Sequence, residues 1–374
     1  TTRIEAAIDI IKRYRELTKK GLLKEQVNTF KMAEVHGDTV IDQDGIIHSI
    51  KDKNVKMLIP SMGRFATEAF AAAFRHSGIN AQALPVYTFD TLQTGRGITT
   101  SKECIPFTLC AGAMVNHQNE NNESKDITLM FMPTACGPCR HGQYSVYLKD
   151  IIRTRKLKNY GIYSLTDEDS YSGLGNDFII RGWTAVTVAD VMQNIYYAIQ
   201  ALAVNKKVAN YLFEEEWTKI ISKIENDPAK NIYEQLKNSA QKINTIAKRT
   251  SFENAVKVAL IGEIFVRNED FSRRELIQKL LEHNIVIKTA AIGEFLYYTN
   301  YQLKISNRKN GASMNARMMF MTREIVQRKI ELKIKNILSK SGFYEYEPLD
   351  IKKVIDHAKD LVSPELEGEA ILTV

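Results

Sequence analysis

All four cysteines of this chain lie in one segment, as Cys104, Cys110, Cys136 and Cys139. In a cytosolic protein, cysteines clustered in this way indicate metal or redox chemistry and not a disulfide scaffold. Cys136 and Cys139 form a C-x-x-C pair, which brings two sulfurs onto one short loop where they can bind one metal ion or one face of a cluster. The segment therefore predicts a metal or redox site.

The spacing alone leaves structural zinc and an iron–sulfur cluster equally open, with a thiol redox pair as a third alternative. A thioredoxin-like dithiol would account for the C-G-P-C loop, but it would leave Cys104 unexplained and the usual adjacent tryptophan is absent. Zinc ribbons usually hold their cysteine pairs on small hairpins, whereas this loop joins a predicted strand to a predicted helix. That position favours a [4Fe-4S] cluster on Cys104, Cys136 and Cys139. Cys110 is either a fourth ligand or a small buried apolar side chain.

Basic side chains surround the cysteines in the sequence. Lys102 precedes Cys104, while Arg140 and His141 follow Cys139 directly. Such groups would offset the negative charge of a thiolate-ligated cluster and raise its potential, so we predict that all three line the cofactor site. A surface position at the start of a helix is an equal alternative for His141.

The cysteines lie within a predicted alternation of strands and helices. Helices are predicted at 65–76 and 143–156, and short apolar runs predict strands at 55–60, 81–86, 127–132 and 160–165. This alternation is typical of a parallel sheet covered by helices, in which ligands lie at the carboxyl ends of the strands. Both Cys104 and the C-x-x-C loop precede a predicted helix, whose N-terminus favours an anionic group.

The remaining pattern predicts a second, similar unit. Long helical runs without a strand signal fill the middle of the chain, and strands are predicted again at 255–261 and 285–292. We therefore predict an α/β fold with two Rossmann-like lobes, built on parallel sheets and joined by a helical segment. The predicted parts are an N-terminal helix and hairpin at 1–50, a first lobe at 51–185, a helical linker at 186–250 and a second lobe at 251–374.

Composition limits the class of protein. The chain has 374 residues, of which 44% are hydrophobic and 25% charged, which suits two cores and argues against disorder. No segment approaches eighteen apolar residues and the start lacks a secretory signal, so we expect a cytoplasmic protein without a membrane span. The net charge of +7 fits solvated helix faces better than an anionic partner, and no RRM, KH or zinc-finger pattern indicates nucleic acid binding.

Three segments carry a family resemblance. Residues 102–112 read KECIPFTLCAG, residues 133–144 read PTACGPCRHGQY and residues 262–267 read GEIFVR. They resemble the K-E-C-x-P…G, C-G-P-C-R-x-G-Q-Y and G-E-I-x-V-R segments of proteins related to the activators of 2-hydroxyacyl-CoA dehydratases. Order and approximate spacing agree, and the likeness covers roughly residues 50–374. The chain is also similar to the cluster-bearing dehydratase subunits and the double-cubane reductases.

The resemblance implies a low-potential iron–sulfur protein of anaerobic metabolism, with Cys104, Cys136 and Cys139 as carried-over ligands. Such a protein would be an electron-transfer or reductase component that works with an ATP-dependent activator, a sugar-kinase/actin-like ATPase. The resemblance is also compatible with a homo-oligomer of this chain. The rival hypothesis from another class is a structural metal protein, with zinc or a cluster, that binds a partner.

The chain also departs from the family. Members continue past a segment like residues 368–372 (GEAIL) into a part with another cysteine, which leaves open an incomplete second lobe and a missing distant ligand. The fragment at 38–42 (DTVID) lacks the D-x-G-x-T form of the ATPase phosphate loops, so we expect no ATP hydrolysis. Glu263 and Arg267 would contact a substrate or partner, or form a loop salt bridge. Gly95 and Gly97 are predicted to lie in a turn or to form part of the wall of the cluster pocket.

Overall fold

A computed structural model describes residues 2–21, 30–100, 102–134, 139–165, 174–309, 314–363 and 370–372. Cys136, which the sequence predicts to be a ligand, lies outside these ranges. The predicted N-terminal helix is present as α1 (Thr2–Lys19). The predicted hairpin joins β2 (Thr39–Ile41) to β3 (Ile47–Ser49), and a strand that the sequence did not reveal, β1 (Glu34–His36), completes a small antiparallel sheet.

A parallel four-stranded sheet forms the centre of the first half of the chain. Its strands are β4 (Val55–Ile59), β5 (Asn80–Ala83), β6 (Ile127–Phe131) and β7 (Tyr160–Tyr163), arranged in space as β5-β4-β6-β7. Every residue of β6 and β7 is buried, as expected for a parallel sheet covered on both faces. The prediction of a parallel sheet from four short apolar runs is therefore confirmed.

Helices cover both faces of this sheet. The first-half helices are α2 (Arg64–His76), α3 (Phe89–Ile98), α4 (Ile105–Glu120) and α5 (Tyr144–Arg155). Alternate residues of β6 divide between two cores: Leu129 joins the core that contains α2, while Met130 joins the core that contains α4 and α5. The cysteine-bearing elements thus share the second of these cores.

The prediction of a turn at Gly95 and Gly97 is wrong, because both residues lie within α3. A Cβ atom on Gly95 would stand 2.0 Å from the carbonyl oxygen of Thr108, and one on Gly112 would stand 2.1 Å from that of Thr91. Gly95 is therefore required by the close contact of α3 with α4, and not by a turn. This contact fixes α3 against the helix that begins beside Cys104.

Three long helices follow the first sheet, namely α6 (Gly175–Leu202), α7 (Lys206–Asn226) and α8 (Ala229–Asn244). Most of α6 is buried, because α2 packs on one side of it and elements from the end of the chain pack on the other. Pro228 separates α7 from α8. No helix among the described residues is long and apolar enough to span a membrane.

A second, two-stranded parallel sheet consists of β8 (Lys257–Leu260) and β9 (Val286–Thr289). The accompanying helices are α9 (Ile264–Asn268), α10 (Asp270–Glu282), α11 (Ile292–Lys309), α12 (Met314–Leu338) and α13 (Ile351–Ala358). The strand predicted to reach Ile292 ends earlier, because Asp190 of α6 accepts hydrogen bonds from the backbone N–H groups of Ile292 and Gly293, at 3.0 and 3.1 Å. These bonds satisfy donors at the start of α11. The protein is therefore an α/β protein rich in helix.

Candidate metal centre

Cys104 lies at the N-terminus of α4, as its N-cap residue. Pro106 stands in the first turn of this helix, where its fixed backbone geometry is favourable. The Cys104 side chain makes no capping hydrogen bond and is partly buried. Its sulfur is thus held beside the positive end of the helix dipole, a position that stabilises a negatively charged group.

Cys139 lies at a second helix start. It is the N-cap residue of a 3-10 turn (Arg140–Gln143) that runs directly into α5. Its sulfur accepts a hydrogen bond from the backbone N–H of His141 at 3.5 Å, and the residue is exposed. Because β6 ends at Phe131, Cys139 lies between a strand and a helix, as predicted.

Tyr144 connects the two cysteine positions. Its hydroxyl group is hydrogen-bonded to the sulfur of Cys104. Burial raises the pKa of Tyr144 most, and the hydrogen bond to Cys104 and negative charge at Cys104, Cys110 and Cys139 raise it further. The segment that follows Cys139 therefore lies against Cys104 through the hydroxyl group of Tyr144.

Cys110 differs from the other two described cysteines because it lies in the core. The residue is only 6% exposed, and its sulfur is 3.3 Å from the hydroxyl oxygen of Tyr87. Burial raises the pKa of the Cys110 thiol to about 12. Its burial and its hydrogen bond to Tyr87 fit the small buried side chain that is the alternative to a fourth ligand.

The basic residues predicted to line the site make different contacts there. The guanidinium group of Arg140 donates a hydrogen bond to the backbone carbonyl oxygen of Lys102, which joins the Cys139 segment to the Cys104 segment. The ring of His141 packs edge-on against that of Tyr144, with 5.0 Å between ring centroids. The side chains of Lys102 and Arg140 are exposed. Arg140 thus has a structural contact that the sequence did not predict.

Glu263 and Arg267 of the GEIFVR segment (262–267) make contacts within the protein and do not line an open cleft. Arg267 is buried, with its Nη1 atom 3.0 Å from Oε2 of Glu294, and it also donates hydrogen bonds to two backbone carbonyl oxygens. Glu263 caps α9 by accepting a hydrogen bond from the backbone N–H of Val266 at 2.9 Å. Arg267 therefore forms the salt bridge that was the alternative to substrate contact.

The end of this segment nevertheless reaches the cysteine-bearing core. The ring of Phe265 stacks on that of Tyr87, with 6.1 Å between centroids. Glu269 is fully buried, accepts a hydrogen bond from the hydroxyl group of Ser61 at 3.2 Å, and raises the pKa of both Tyr87 and Cys110 through its negative charge. Residues after β8 thus form part of the environment of Cys110.

Sequence reasoning missed Tyr87, Tyr144 and Glu269. Tyr144 stands in the segment that follows the C-x-x-C loop, so its closeness to Cys139 could have been noticed from the sequence. Tyr87 and Glu269 carry no comparable signal, because they are distant in sequence from Cys110 and meet it only in the folded chain.

Within the part of the chain that the structure describes, no three His, Cys, Asp or Glu side chains form a group that could hold a metal ion. Cys136, the other cysteine of the C-x-x-C pair, lies outside the described residues.

No protein-family model matches this chain, and no curated protein or solved structure matches it either. The family resemblance of the three segments therefore stays a prediction.

Proposed function

We propose that this chain is a low-potential iron–sulfur protein, an electron-transfer or reductase component that works with an ATP-dependent activator of the sugar-kinase/actin-like type. The observation that supports this proposal is that the segment around Cys139 meets the segment around Cys104: the hydroxyl group of Tyr144 is hydrogen-bonded to the sulfur of Cys104, and Arg140 donates a hydrogen bond to the carbonyl oxygen of Lys102. Cys104 and Cys139 both lie at the starts of helices. The family resemblance of the cysteine segments points to the same function.

A [4Fe-4S] cluster at this site would be held by Cys104, Cys136 and Cys139, and it would supply one-electron transfer at low potential. The backbone N–H that already points at the Cys139 sulfur, together with the helix N-terminus at Cys104, would stabilise the negative charge of the ligating thiolates. Exposure of Cys139 would leave this side of the site accessible to a partner.

We propose further that Cys110 is not a ligand, because its side chain is buried in the core and is hydrogen-bonded to Tyr87. Three cysteine ligands would leave one position free, which suits reduction of a bound substrate better than electron transfer alone.

The two parallel sheets would belong to two Rossmann-like lobes, with α6, α7 and α8 between them. Residues 261–271, which follow β8, approach the carboxyl end of β4: the backbone N–H of Arg64 donates a hydrogen bond to Asp270 at 2.8 Å, and Gly63 lies against the carbonyl oxygen of Asn268. This arrangement would place the cluster near the junction of the lobes. A cytoplasmic location under anaerobic conditions would suit such a cofactor.

The decisive experiment is anaerobic purification of the whole chain, with quantification of iron and acid-labile sulfide and an absorption spectrum. We expect a brown protein with a band at about 400 nm. Cys104→Ala and Cys139→Ala should abolish this band, whereas Cys110→Ala should retain it because the Cys110 thiol is buried and protonated.

Other results would contradict the proposal. A colourless protein with one zinc ion per chain would instead support a structural metal protein that binds a partner. A metal-free protein in which Cys136 and Cys139 form a reversible disulfide would support a thiol oxidoreductase.

A further inference from the structure

We propose that the start of α7 is a docking surface for an acidic amphipathic helix of another protein. The surface consists of Val204, Val208 and Tyr211, which together form the α7 patch. This surface needs no cofactor and includes none of the cysteines, so it goes beyond the proposed function.

The α7 patch exposes apolar side chains on a helix that is already packed on its other side. Val204, Val208 and Tyr211 are 56%, 61% and 75% exposed. On the opposite side of α7, the rings of Phe213 and Trp217 are buried and contact Phe65 of α2. A helix that covers a core normally has a polar outer face. The start of α7 therefore carries apolar side chains on a second face that lies open to solvent.

The apolar part of this outer face is short. Beyond Tyr211 the same row of the helix continues with Glu215, Thr218 and Ser222, all of which are polar and exposed. A helix that lies on a lipid surface buries a long apolar face. Because the α7 patch covers only the first turns, it fits the side of a single partner helix better than a membrane.

Hydrogen bonds hold the backbone of the α7 patch in one conformation. The side chain of Asn205 accepts a hydrogen bond from the backbone N–H of Val208 at 3.1 Å. The backbone N–H of Val204 donates to the carbonyl oxygen of Ala247 at 3.0 Å, which ties the patch to the segment after α8. A surface that is already ordered loses little conformational entropy when a partner binds.

Two lysines stand beside the patch without a charge partner. Lys206 and Lys207 are the first residues of α7, and neither forms an ion pair within the part of the chain that the structure describes. Glu214 and Glu215, further along α7, are already in ion pairs with other residues. Cations in the first turn oppose the helix dipole, so these lysines do not stabilise α7. Acidic side chains of a partner would complement them, and for this reason the occupant is an acidic helix.

The same charges argue against a second copy of this chain as the occupant. A two-fold interface places a surface patch against itself, so Lys206 and Lys207 of the two copies would be brought together. The net charge of +7 would add to this repulsion. A different, acidic protein is therefore the partner that fits the patch.

The probe for this surface is a fluorescein-labelled helical peptide of about 18 residues, with leucines on one face and glutamates on both sides of that face. Its binding to the whole chain is followed by fluorescence anisotropy at low and at high salt. We expect micromolar binding at low salt that weakens at high salt. Tyr211→Ala should weaken binding by about tenfold or more, and Lys206→Glu combined with Lys207→Glu should do the same.

Two sets of variants serve as matched controls. Val146 of α5 is 62% exposed, so Val146→Ser is the control for Val208→Ser. Lys230→Glu combined with Lys237→Glu makes the same charge change on α8, outside the patch. Both controls should bind the peptide like the wild type. Because none of the substituted side chains is buried, every variant should unfold at the wild-type temperature or above it.

Several outcomes would overturn the proposal. One is the absence of peptide binding at low salt, and another is an equal loss of binding in the control variants and the patch variants. Tighter binding of a double-stranded DNA probe, or of phosphatidylglycerol vesicles, would assign the patch to another class of partner. None of these results depends on whether the chain binds a cluster, so the proposed function is tested separately.

Discussion

The hydroxyl oxygen of Tyr87 lies 3.3 Å from the sulfur of Cys110 within the core between the first sheet and α4. Tyr87 follows β5, Cys110 belongs to α4, and Phe265 from the second half of the chain covers the tyrosine ring. The Tyr87–Cys110 contact, together with the ring of Phe265, therefore brings three parts of the fold together. It also makes Cys110 chemically different from Cys104 and Cys139.

The Tyr87–Cys110 contact should appear as an interaction energy in a double-mutant cycle. Tyr87→Phe leaves the Cys110 thiol without its partner, and we expect it to lower the free energy of unfolding by about 1 kcal/mol. The variants Tyr87→Phe, Cys110→Ala and the double variant would be compared by urea unfolding of the cluster-free chain. Effects that simply add would show that the two groups do not interact.

Cys110 should resist alkylation in the folded protein. Because burial raises the pKa of its thiol to about 12, roughly one molecule in ten thousand carries the reactive thiolate at pH 8. We expect iodoacetamide to modify Cys139 of the cluster-free chain at this pH and to leave Cys110 unmodified until urea is added. Peptide mass spectrometry would measure both sites. Rapid labelling of Cys110 without urea would disprove its burial.

The close contact of α3 with α4 predicts a large difference between two glycines of the same helix. Gly95→Ala would place a Cβ atom 2.0 Å from the carbonyl oxygen of Thr108 and force the helices apart, so we expect a loss of about 3 kcal/mol of unfolding free energy. Gly97→Ala meets no atom within 4 Å and should stabilise α3 by up to about 1 kcal/mol. Urea unfolding measures both, and similar effects of the two substitutions would contradict the contact.

Asp190 should make stability depend on pH below neutrality. Burial raises its pKa to about 6, although hydrogen bonds from Ile292 and Gly293 and the charges of Lys335 and Arg267 oppose the shift. Because the folded-state pKa lies above the ordinary value of 3.8, the folded state binds the proton more tightly. Asp190 therefore contributes stability below about pH 4, and this contribution is lost as the pH rises through about 6.

We expect the unfolding free energy to fall by something on the order of 3 kcal/mol over this pH range because of Asp190. This fall should be absent from Asp190→Asn. The variant should also lose about 1 kcal/mol at every pH, because the N–H groups of Ile292 and Gly293 bond to different oxygens of Asp190 and the amide replaces one of these oxygens with an NH2 donor. The difference in unfolding free energy between wild type and variant, measured from pH 4 to pH 7, isolates Asp190. Parallel pH profiles would rule out the raised pKa.

The local elements of this protein were predictable from the sequence. The strand run at 55–60 and the helix run at 143–156 match β4 and α5 within one residue at each end, because alternating and helical apolar patterns are properties of neighbouring residues. Cys104 before a proline-bearing helix start was predictable for the same reason. So was the position of Cys139 between a strand and a helix, which is the part of the candidate site that chain order determines.

Contacts between distant residues could not be predicted in this way. Gly95 was interpreted as a turn residue, because the sequence does not show which backbone packs against it. The end of β9 depends on Asp190, which is about a hundred residues earlier in the chain. Tyr144 meets Cys104 only because α5 packs beside α4, so tertiary packing, and not spacing along the chain, decides which side chains surround the candidate centre.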